Sequence, residues 1–182
     1  SAGRKKRARQ SPHKAMSKQP TERSLFSYKY EKVNLVSLIE DAIKADGEKI
    51  KAQNVSVVFN KPKSEGFVVN GDKGKLAEVT ENLLDNAIKY TPAGGKVEVI
   101  LTKDNGNTRV SVSDTGIGIP EEEVSHIFSE FFRGEQAKNI HKEGSGLGLF
   151  IVKNIIERHK GEVGFAANKD KGTTFFFTLP LA

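Results

Sequence analysis

The stretch Glu81–Pro92, ENLLDNAIKYTP, constrains the fold of this 182-residue chain more than any other. In an α-helix, residues at i, i+4, i+7 and i+8 share one face, and the apolar residues between them occupy the other. The shared face then carries two carboxamides, an ammonium and a phenol, from Asn82, Asn86, Lys89 and Tyr90. Magnesium prefers oxygen ligands and a polyphosphate attracts lysine, so this face suits a metal ion escorted by phosphates. Taken alone, the stretch also fits a surface helix with a polar face.

The overall composition is that of a single soluble domain with an appended tail. With 36% hydrophobic residues, the chain can bury a sizeable core. No run approaches the roughly 18 consecutive apolar residues of a membrane span, and no signal-peptide pattern opens the chain. We therefore expect a soluble, cytoplasmic domain. The chain has no cysteine, which excludes disulfides and thiolate metal sites.

The net charge of +6 is concentrated at one end of the chain. Residues 1–24 hold eight lysines and arginines and one acid, whereas the remainder holds 21 basic and 22 acidic residues. The run GRKKRARQ is typical of solvated tails, linkers or cloning remnants, and also of nucleic-acid or nuclear-targeting patches. We favour a disordered tail over residues 1–24 and one domain over residues 25–182. Because that domain is nearly neutral, we expect no nucleic-acid partner.

Hydrophobic periodicity predicts an α+β domain. Helical spacing predicts a helix over residues 35–51 capped by Asn34, a long helix to about residue 90 capped by Asp72, and a helix from Gly144 to about His159, with a short helix after Pro120. Alternating runs predict a first strand over residues 28–33 and three hairpins: 55–60 with 66–70, 96–103 with 108–113 across the turn Asp-Asn-Gly-Asn at residues 104–107, and 162–167 with 173–179. Residues 134–143 show no period, which predicts a mobile loop. The sum is a two-layer sandwich with three longer helices beside a mixed, mostly antiparallel sheet of about five strands.

Two further stretches have the character of ligand-binding loops. Asp114 stands where a strand ends and DTGIGIP begins, so its carboxylate can accept a hydrogen bond from an exocyclic amine while glycines let backbone approach a flat ring. An ordinary turn capped by aspartate has the same pattern. GSGLGL opens a helix, which offers unpaired N–H groups to phosphate oxygens. It matches neither a dinucleotide fingerprint nor a Walker loop.

Five motifs in order resemble the N, G1, F, G2 and G3 boxes of sensor histidine kinases. They are Asn82–Pro92, Asp114–Pro120, Ile127–Arg133 (IFSEFFR), Gly144–Leu149 (GSGLGL) and Gly172–Phe175 (GTTF). The resemblance extends over about residues 28–179. It implies the Bergerat-type ATP-binding fold of the GHKL class, with residues 134–143 as a flexible ATP lid.

The resemblance also implies residue roles. Asn86 would ligate Mg²⁺, and Asn82, Lys89 and Arg133 would be catalytic. Asp114 would bind the adenine amino group of ATP. The other implied nucleotide contacts are Tyr90, Gly116, Gly118, Ile119, Phe128, Gly144, Gly146, Leu147, Gly148 and Thr173.

The resemblance implies a kinase rather than an efficient ATPase. Related ATPases carry a glutamate one turn before the metal-binding asparagine, where this chain has Asn82, and the neighbouring Glu81 is rotated about 100° around the helix. A non-catalytic nucleotide-binding module of the same fold and an anti-sigma-type serine kinase are the alternatives.

The phosphoacceptor of such a kinase is expected on another domain. The chain has four histidines, and none has the sequence context of an acceptor histidine: His13, His126, His141 and His159. His126 and His159 are predicted to be surface residues of helices, and His141 a solvated lid residue. The implied partners are a dimerisation domain carrying the acceptor histidine in the same parent protein and, through it, a response regulator. Whether the parent is anchored in the inner membrane stays open.

Overall fold

Residues 27–182 are the part of the chain that the computed structural model describes, and they form seven strands, five α-helices and one 3₁₀ helix. The tail predicted over residues 1–24 lies outside these residues. The strands are β1 (Tyr30–Asn34), β2 (Ser56–Asn60), β3 (Val68–Asp72), β4 (Lys96–Asp104), β5 (Asn107–Asp114), β6 (Glu162–Ala167) and β7 (Thr173–Pro180). The helices are α1 (Leu35–Ala45), α2 (Gly47–Gln53), α3 (Lys73–Tyr90), α4 (Glu135–Ile140) and α5 (Gly148–Arg158), with a 3₁₀ helix over Glu121–His126.

Five of the strands form one sheet in the order β2, β4, β5, β7, β6. β2 runs parallel to β4, and the other neighbouring strands are antiparallel. Val99 pairs with Val112, which pairs in turn with Phe175, and all three are buried in the hydrophobic core. The predicted mixed, mostly antiparallel sheet of about five strands is confirmed.

The helical layer consists of α1, α3 and α5, whose apolar faces join the core of the sheet. α3 contributes a continuous buried stripe that includes Leu76, Val79, Leu83, Leu84 and Ala87. Burial of each such leucine stabilises the fold by about 1.5–3 kcal/mol. The predicted two-layer sandwich with three longer helices is therefore confirmed. None of the helices in residues 27–182 is both long and apolar enough to cross a bilayer.

Side-chain caps begin two of these helices where the sequence predicted. Asn34 Oδ1 accepts the backbone N–H of Val36 at 2.9 Å, and Asp72 Oδ1 accepts the N–H of Lys75 at 3.0 Å. The first turn of a helix leaves such N–H groups without an intrahelical partner. The two caps therefore determine where α1 and α3 start.

The predicted single helix over residues 35–51 is wrong, because it is interrupted at Asp46 to give α1 and α2. The Asp46 backbone (φ −86°, ψ 7°) leaves the helical range, and Gly47 follows as the first residue of α2. Asp46 is only 6% exposed, and its Oδ1 lies 2.9 Å from Lys49 Nζ. Aspartate and glycine are both poor helix formers, so the sequence weakens the helix at this point.

The predicted hairpin between residues 55–60 and 66–70 is also wrong. β3 pairs antiparallel with β1, with Val69 opposite Val33, whereas β2 pairs parallel with β4, with Val57 opposite Val97. Phe67, in the connection between β2 and β3, is buried in the core. Both runs have the pattern of strands, but periodicity does not specify a distant pairing partner.

Two further segments differ from expectation. The loop predicted over residues 134–143 contains the six-residue helix α4. Six residues are fewer than two helical turns, which is too short to reveal a period. The short helix expected after Pro120 is a 3₁₀ helix, and beyond it Phe131 has a left-handed backbone (φ 62°) and a side chain that is 67% exposed.

His159 is buried, although the sequence predicted a surface position. Its Nδ1 lies 2.7 Å from the Ile155 carbonyl oxygen and therefore donates, while Nε2 accepts the backbone N–H of Asp72 at 2.9 Å. The rings of Tyr28 and Tyr30 lie 5.5 and 5.2 Å from the imidazole. The side chain thereby joins the end of α5 to the cap of α3, a contact that helical spacing alone does not reveal.

We predict that His159→Leu lowers the free energy of unfolding by about 1–3 kcal/mol. Leucine keeps the apolar contacts with the tyrosines but leaves the Asp72 N–H and the Ile155 carbonyl without their imidazole partner. Urea denaturation followed by circular dichroism measures the change. His126→Leu, on the exposed 3₁₀ helix, is the matched control and should stay within about 0.5 kcal/mol of wild type. Equal effects of the two substitutions would contradict the role of His159.

Candidate active site

A cavity of about 360 Å³ opens where the front of α3 meets the loop after β5, the 3₁₀ segment, α4 and the start of α5. Small-molecule pockets in proteins typically measure about 300–1,000 Å³. Twelve of the fifteen predicted site residues line it: Asn82, Asn86, Lys89, Tyr90, Asp114, Gly118, Ile119, Arg133, Gly144, Gly146, Gly148 and Thr173. Gly116, Phe128 and Leu147 are not among the lining residues. The fold thus assembles segments that are up to 91 residues apart in the chain, from Asn82 to Thr173.

The wall formed by α3 presents the polar face that the sequence predicted. Asn82, Asn86 and Lys89 line the cavity, whereas Glu81 is exposed and lies outside the lining. A Cβ atom built on Gly148 would come within 3.2 Å of Asn82 Oδ1, so α5 begins directly against this wall. The rotation of α3 about its axis thus directs carboxamides and an ammonium, rather than a carboxylate at position 81, into the cavity.

Asp114 lines the cavity and is 7% exposed. Its Oδ1 accepts the backbone N–H groups of Gly116 at 2.8 Å and Thr173 at 3.2 Å. Oδ2 has no hydrogen bond from residues 27–182. Burial raises the pKa of this carboxyl above its ordinary value, and the two N–H donors act in the opposite direction. One oxygen is therefore held by the fold, and the other is left for a ligand.

Two glycines let backbone segments pack closely around Asp114. A Cβ on Gly172, whose φ is +91°, would lie 2.0 Å from the Asp114 carbonyl oxygen. A Cβ on Gly116 would lie 2.6 Å from the Tyr90 carbonyl oxygen. Gly116 therefore supports the site from behind the lining, where α3 ends against the loop after β5.

The start of α5 forms the glycine-rich side of the cavity. Gly146 has φ +69°, and a Cβ there would lie 2.6 Å from the Phe131 carbonyl carbon, so any larger residue would displace this loop. Leu147 occupies the N-cap position, where its carbonyl accepts the N–H of Ile151 at 2.8 Å. Within the described residues, no side chain caps α5. The first N–H groups of α5 are therefore available to an anion.

Sequence reasoning missed two carboxylates in the lining, Asp85 and Glu123. Asp85 follows Asn82 by three residues, which is the signal that could have identified it, since i and i+3 share a helix face. Glu123 Oε1 accepts the N–H of Glu135 at 2.9 Å at the start of α4.

Phe128 lies behind the lining rather than in it. Its ring packs edge-on against Phe175 with centroids 6.2 Å apart, and Phe175 is itself a lining residue. Phe128 therefore supports the cavity from the core.

Arg133 and His141 hold the segment over residues 134–143, which connects the 3₁₀ region with α5. The Arg133 guanidinium donates to the carbonyl oxygens of His141, Lys142 and Glu143. His141 Nε2 lies 3.1 Å from the carbonyl oxygen of Lys89 in the last turn of α3, so this nitrogen is the donor. The His141 ring stands edge-on to the Tyr90 ring at 5.7 Å. His141 is thus half-buried in contacts with α3, whereas the sequence predicted a solvated residue.

The donor set of the cavity fits a magnesium ion that is held mainly by phosphate and water. Magnesium typically takes one or two protein ligands and keeps several waters beside substrate phosphates. Asn82 and Asn86 offer carboxamide oxygens on the same wall as Lys89. In residues 27–182 no group of three histidines or acids stands close enough to form a protein-only metal site. The predicted ligand role of Asn86 is compatible with this arrangement and stays a prediction.

The sequence matches a family model described as histidine kinase-, DNA gyrase B- and HSP90-like ATPase over residues 71–182. This range contains every predicted site residue. The chain belongs to this ATPase family. Within it, domains of this kind bind ATP, and the named relatives are sensor histidine kinases.

Two curated histidine kinases illustrate the relationship. The adaptive-response sensory kinase SasA of Rippkaea orientalis is 40% identical over 157 residues, which covers 86% of this chain and 39% of that protein. The sensor histidine kinase WalK of Bacillus subtilis is 36% identical over 150 residues, covering 81% of this chain and 24% of that protein. The chain thus spans between about a quarter and two fifths of these relatives.

Among solved structures, the catalytic domain of histidine kinase ThkA superposes with a TM-score of 0.73 at 34% identity. The superposition covers 84% of this chain and 96% of that domain. The predicted fold class and the resemblance to histidine kinase catalytic domains are confirmed. The roles of individual residues in this ATPase-family domain stay predictions.

We predict that Asp114 makes the stability of this ATPase-family domain depend on pH. Because its folded-state pKa is raised, the folded protein binds the proton more tightly than the unfolded chain does. The stabilisation is fully present below the unfolded value near 3.8 and is lost as pH rises through the raised folded value. The unfolding free energy of wild type minus that of Asp114→Asn should therefore fall with rising pH, with a slope of at most about 1.4 kcal/mol per pH unit, the value for one proton.

Urea denaturation of both proteins from pH 3 to pH 8, the range that brackets a carboxyl titration, measures this difference. Asp170→Asn, at an exposed turn between β6 and β7, provides the baseline for removing a surface carboxylate. A difference that rises with pH would contradict the effect of burial on Asp114.

Proposed function

We propose that this domain binds Mg-ATP and donates the γ-phosphate to a histidine on a separate dimerisation and phosphoacceptor domain, as the catalytic part of a two-component sensor kinase. The observation that carries the proposal is one cavity with three kinds of wall. The carboxamides and ammonium of α3 face it from one side, and the glycine-rich start of α5 from another. Asp114, at the end of β5, contributes the third wall.

In this proposal the nucleotide lies along the cavity with its base at Asp114. The free Oδ2 of this residue accepts a hydrogen bond from the adenine amino group, and the glycines of the loop after β5 admit the flat ring. Gly118, Ile119 and Thr173 line that end. ShkA, a full-length kinase that resembles this chain at 25% identity, has been solved in complex with AMPPNP, a nucleotide analogue.

The triphosphate lies at the other end, where the uncapped N–H groups of α5 and the positive end of its dipole favour anions. Asn86, assisted by Asn82, would hold Mg²⁺ beside the triphosphate, where the ion would supply neutralisation of negative charge. Lys89 contacts the phosphates directly. Arg133 joins them when its guanidinium exchanges the carbonyl oxygens of residues 141–143 for phosphate oxygens, which connects the lid to the bound nucleotide.

The cavity favours transfer to a protein acceptor over hydrolysis. A water molecule needs a base, and the turn before Asn86 supplies only the amide of Asn82. The carboxylate of Asp85 is paired with Lys49, and that of Glu123 with the N–H of Glu135. Catalysis then consists of positioning and charge neutralisation. The bond between the γ-phosphorus and the β,γ-bridging oxygen breaks, a bond forms from that phosphorus to an imidazole nitrogen, and ADP leaves.

The acceptor and the further partners come from the rest of the parent protein. Among the described histidines, His159 is buried, His141 contacts α3, and His126 lies on a short 3₁₀ helix. These positions do not suit an acceptor, which favours one on a separate domain. The related kinase ThkA has been solved in complex with the response regulator protein TrrA, which supports a regulator as the downstream partner here. Because ATP is the substrate, we assign the reaction to the cytoplasm and leave open a parent anchored in the inner membrane.

Asn86→Asp tests the metal role. A carboxylate at this position changes the metal geometry and adds negative charge beside the triphosphate, so phosphotransfer should fall by at least about 100-fold, or roughly 2.7 kcal/mol. Labelled ATP and a purified dimerisation domain should yield acid-labile, base-stable phosphate with the wild-type domain. Asn70→Asp, at an exposed position of β3, controls for the added charge. Wild-type rates in Asn86→Asp would refute the ligand role.

Asp114→Asn tests the adenine role. The substitution keeps the side-chain shape but presents an amide donor to an amino group, so the free energy of ATP binding should weaken by about 1–3 kcal/mol. Guanine carries a carbonyl oxygen in place of that amino group, so GTP should lose less affinity than ATP. Titration calorimetry with both nucleotides measures the two changes. An unchanged affinity for ATP would remove Asp114 from base recognition.

A further inference from the structure

A three-residue ion-pair network reaches the nucleotide cavity from α2. Lys49 Nζ lies 2.9 Å from Asp46 Oδ1 and 3.0 Å from Asp85 Oδ1. Lys49 belongs to α2 and Asp85 to α3, and Asp46 occupies the interruption before α2. The network therefore connects the unexpected break in the first helix with the wall of the cavity.

Asp85 is the member that faces the cavity. It is adjacent in sequence to Asn86, follows Asn82 by three residues and lines the same space. An unpaired carboxylate at this position would repel a triphosphate, because like charges that share a cavity of this size raise one another's energy. Its partner Lys49 is outside the lining, so the compensating cation approaches from behind the α3 wall.

Asp46 is the member that anchors the network. Its side chain is 8% exposed, and Oδ2 has no hydrogen-bond partner among the described residues. Burying a carboxylate with one oxygen unsatisfied costs free energy. The carboxylate does, however, hold Lys49, whose pKa is raised first by the hydrogen bond with Asp46 and then by that with Asp85.

We propose that Asp46 and Lys49 are positioning residues for the nucleotide site. Asp46 holds the Lys49 ammonium against Asp85 and thereby neutralises that carboxylate, so that the carboxamides and Lys89 determine the charge that the α3 wall presents to the phosphates. This inference rests on the proposed function, since it assigns a purpose to the network only if the cavity binds a polyphosphate.

A purely structural role predicts a different result. Lys49 and Asp85 have side chains 59% and 45% exposed, and exposed ion pairs contribute little to stability. If the network only fastened α2 to α3, its loss would affect the binding of every nucleotide equally. If it compensates charge, the loss should grow with the number of phosphates on the ligand.

The test compares Lys49→Met with Lys51→Met by calorimetry with Mg-ATP, ADP and adenosine. Lys51 lies on the same helix with a side chain 79% exposed, and pairs with Glu48 at 3.8 Å. For Lys49→Met we expect the dissociation constant to rise about 3- to 10-fold for Mg-ATP, less for ADP and not at all for adenosine. Lys51→Met should match wild type. An equal penalty for all three ligands, or none, would overturn the proposal.

A double mutant isolates the charge of Asp85. Asp85→Asn should leave Mg-ATP affinity at or above that of wild type, and Lys49→Met/Asp85→Asn should recover the affinity lost in Lys49→Met. A double mutant that binds Mg-ATP as weakly as Lys49→Met would overturn the neutralising role.

Asp46→Asn, which keeps the side-chain shape but weakens the hold on Lys49, should raise the dissociation constant for Mg-ATP about 2-fold. An unchanged dissociation constant would overturn the positioning role of Asp46.

The outcomes distinguish a failure of this inference from a failure of the proposed function. A wild-type domain that binds Mg-ATP while Lys49→Met binds it equally well overturns the inference and leaves the proposed function intact. A wild-type domain that binds no nucleotide overturns both.

Discussion

The burial of one face of α3 against the sheet is the interaction on which the site depends. Leucine, valine and alanine side chains of this helix are removed from water over its whole length, and turning the helix about its axis would expose them. The rotation of α3 is therefore fixed by the hydrophobic core. Because residues at i and i+4 share a face, Asn82 and Asn86 then have to face the cavity, and the core determines the chemistry of the wall.

The electrostatics of the cavity follow from how its carboxylates are engaged. Three carboxylates, Asp85, Asp114 and Glu123, and two cations, Lys89 and Arg133, line it. By formal charge alone, this lining would repel a polyphosphate. Each carboxylate, however, has a partner. Asp85 pairs with the ammonium of Lys49, which is not a lining residue, and backbone N–H groups donate to Asp114 and Glu123. Because each carboxylate is already paired, the two cations and the N–H groups at the start of α5 determine which charge the cavity accepts.

Much of the fold could be predicted from the sequence because its signals are local. Helical spacing identified the stripes of α3 and α5, the Asn34 and Asp72 caps located two helix starts, and Asp-Asn-Gly-Asn located the β4–β5 turn, where Asn105 and Gly106 both have positive φ. The partners of β2 and β3, by contrast, are set by contacts across the whole domain. The interruption at Asp46 lies beside an ion pair with Lys49, which helical spacing does not reveal.

The candidate site also contains some residues with local sequence signals and others that only the folded structure reveals. Motifs predicted twelve of the residues that line the cavity, because ligand chemistry calls for particular side chains, but they did not separate these residues from those that hold the lining in place. Gly116 and Phe128 support the lining from behind, His141 contacts the end of α3, and Asp85 needs Lys49 to be tolerated in the wall. Supporting residues of this kind act through geometry. They become visible only when the segments that they join have been brought together.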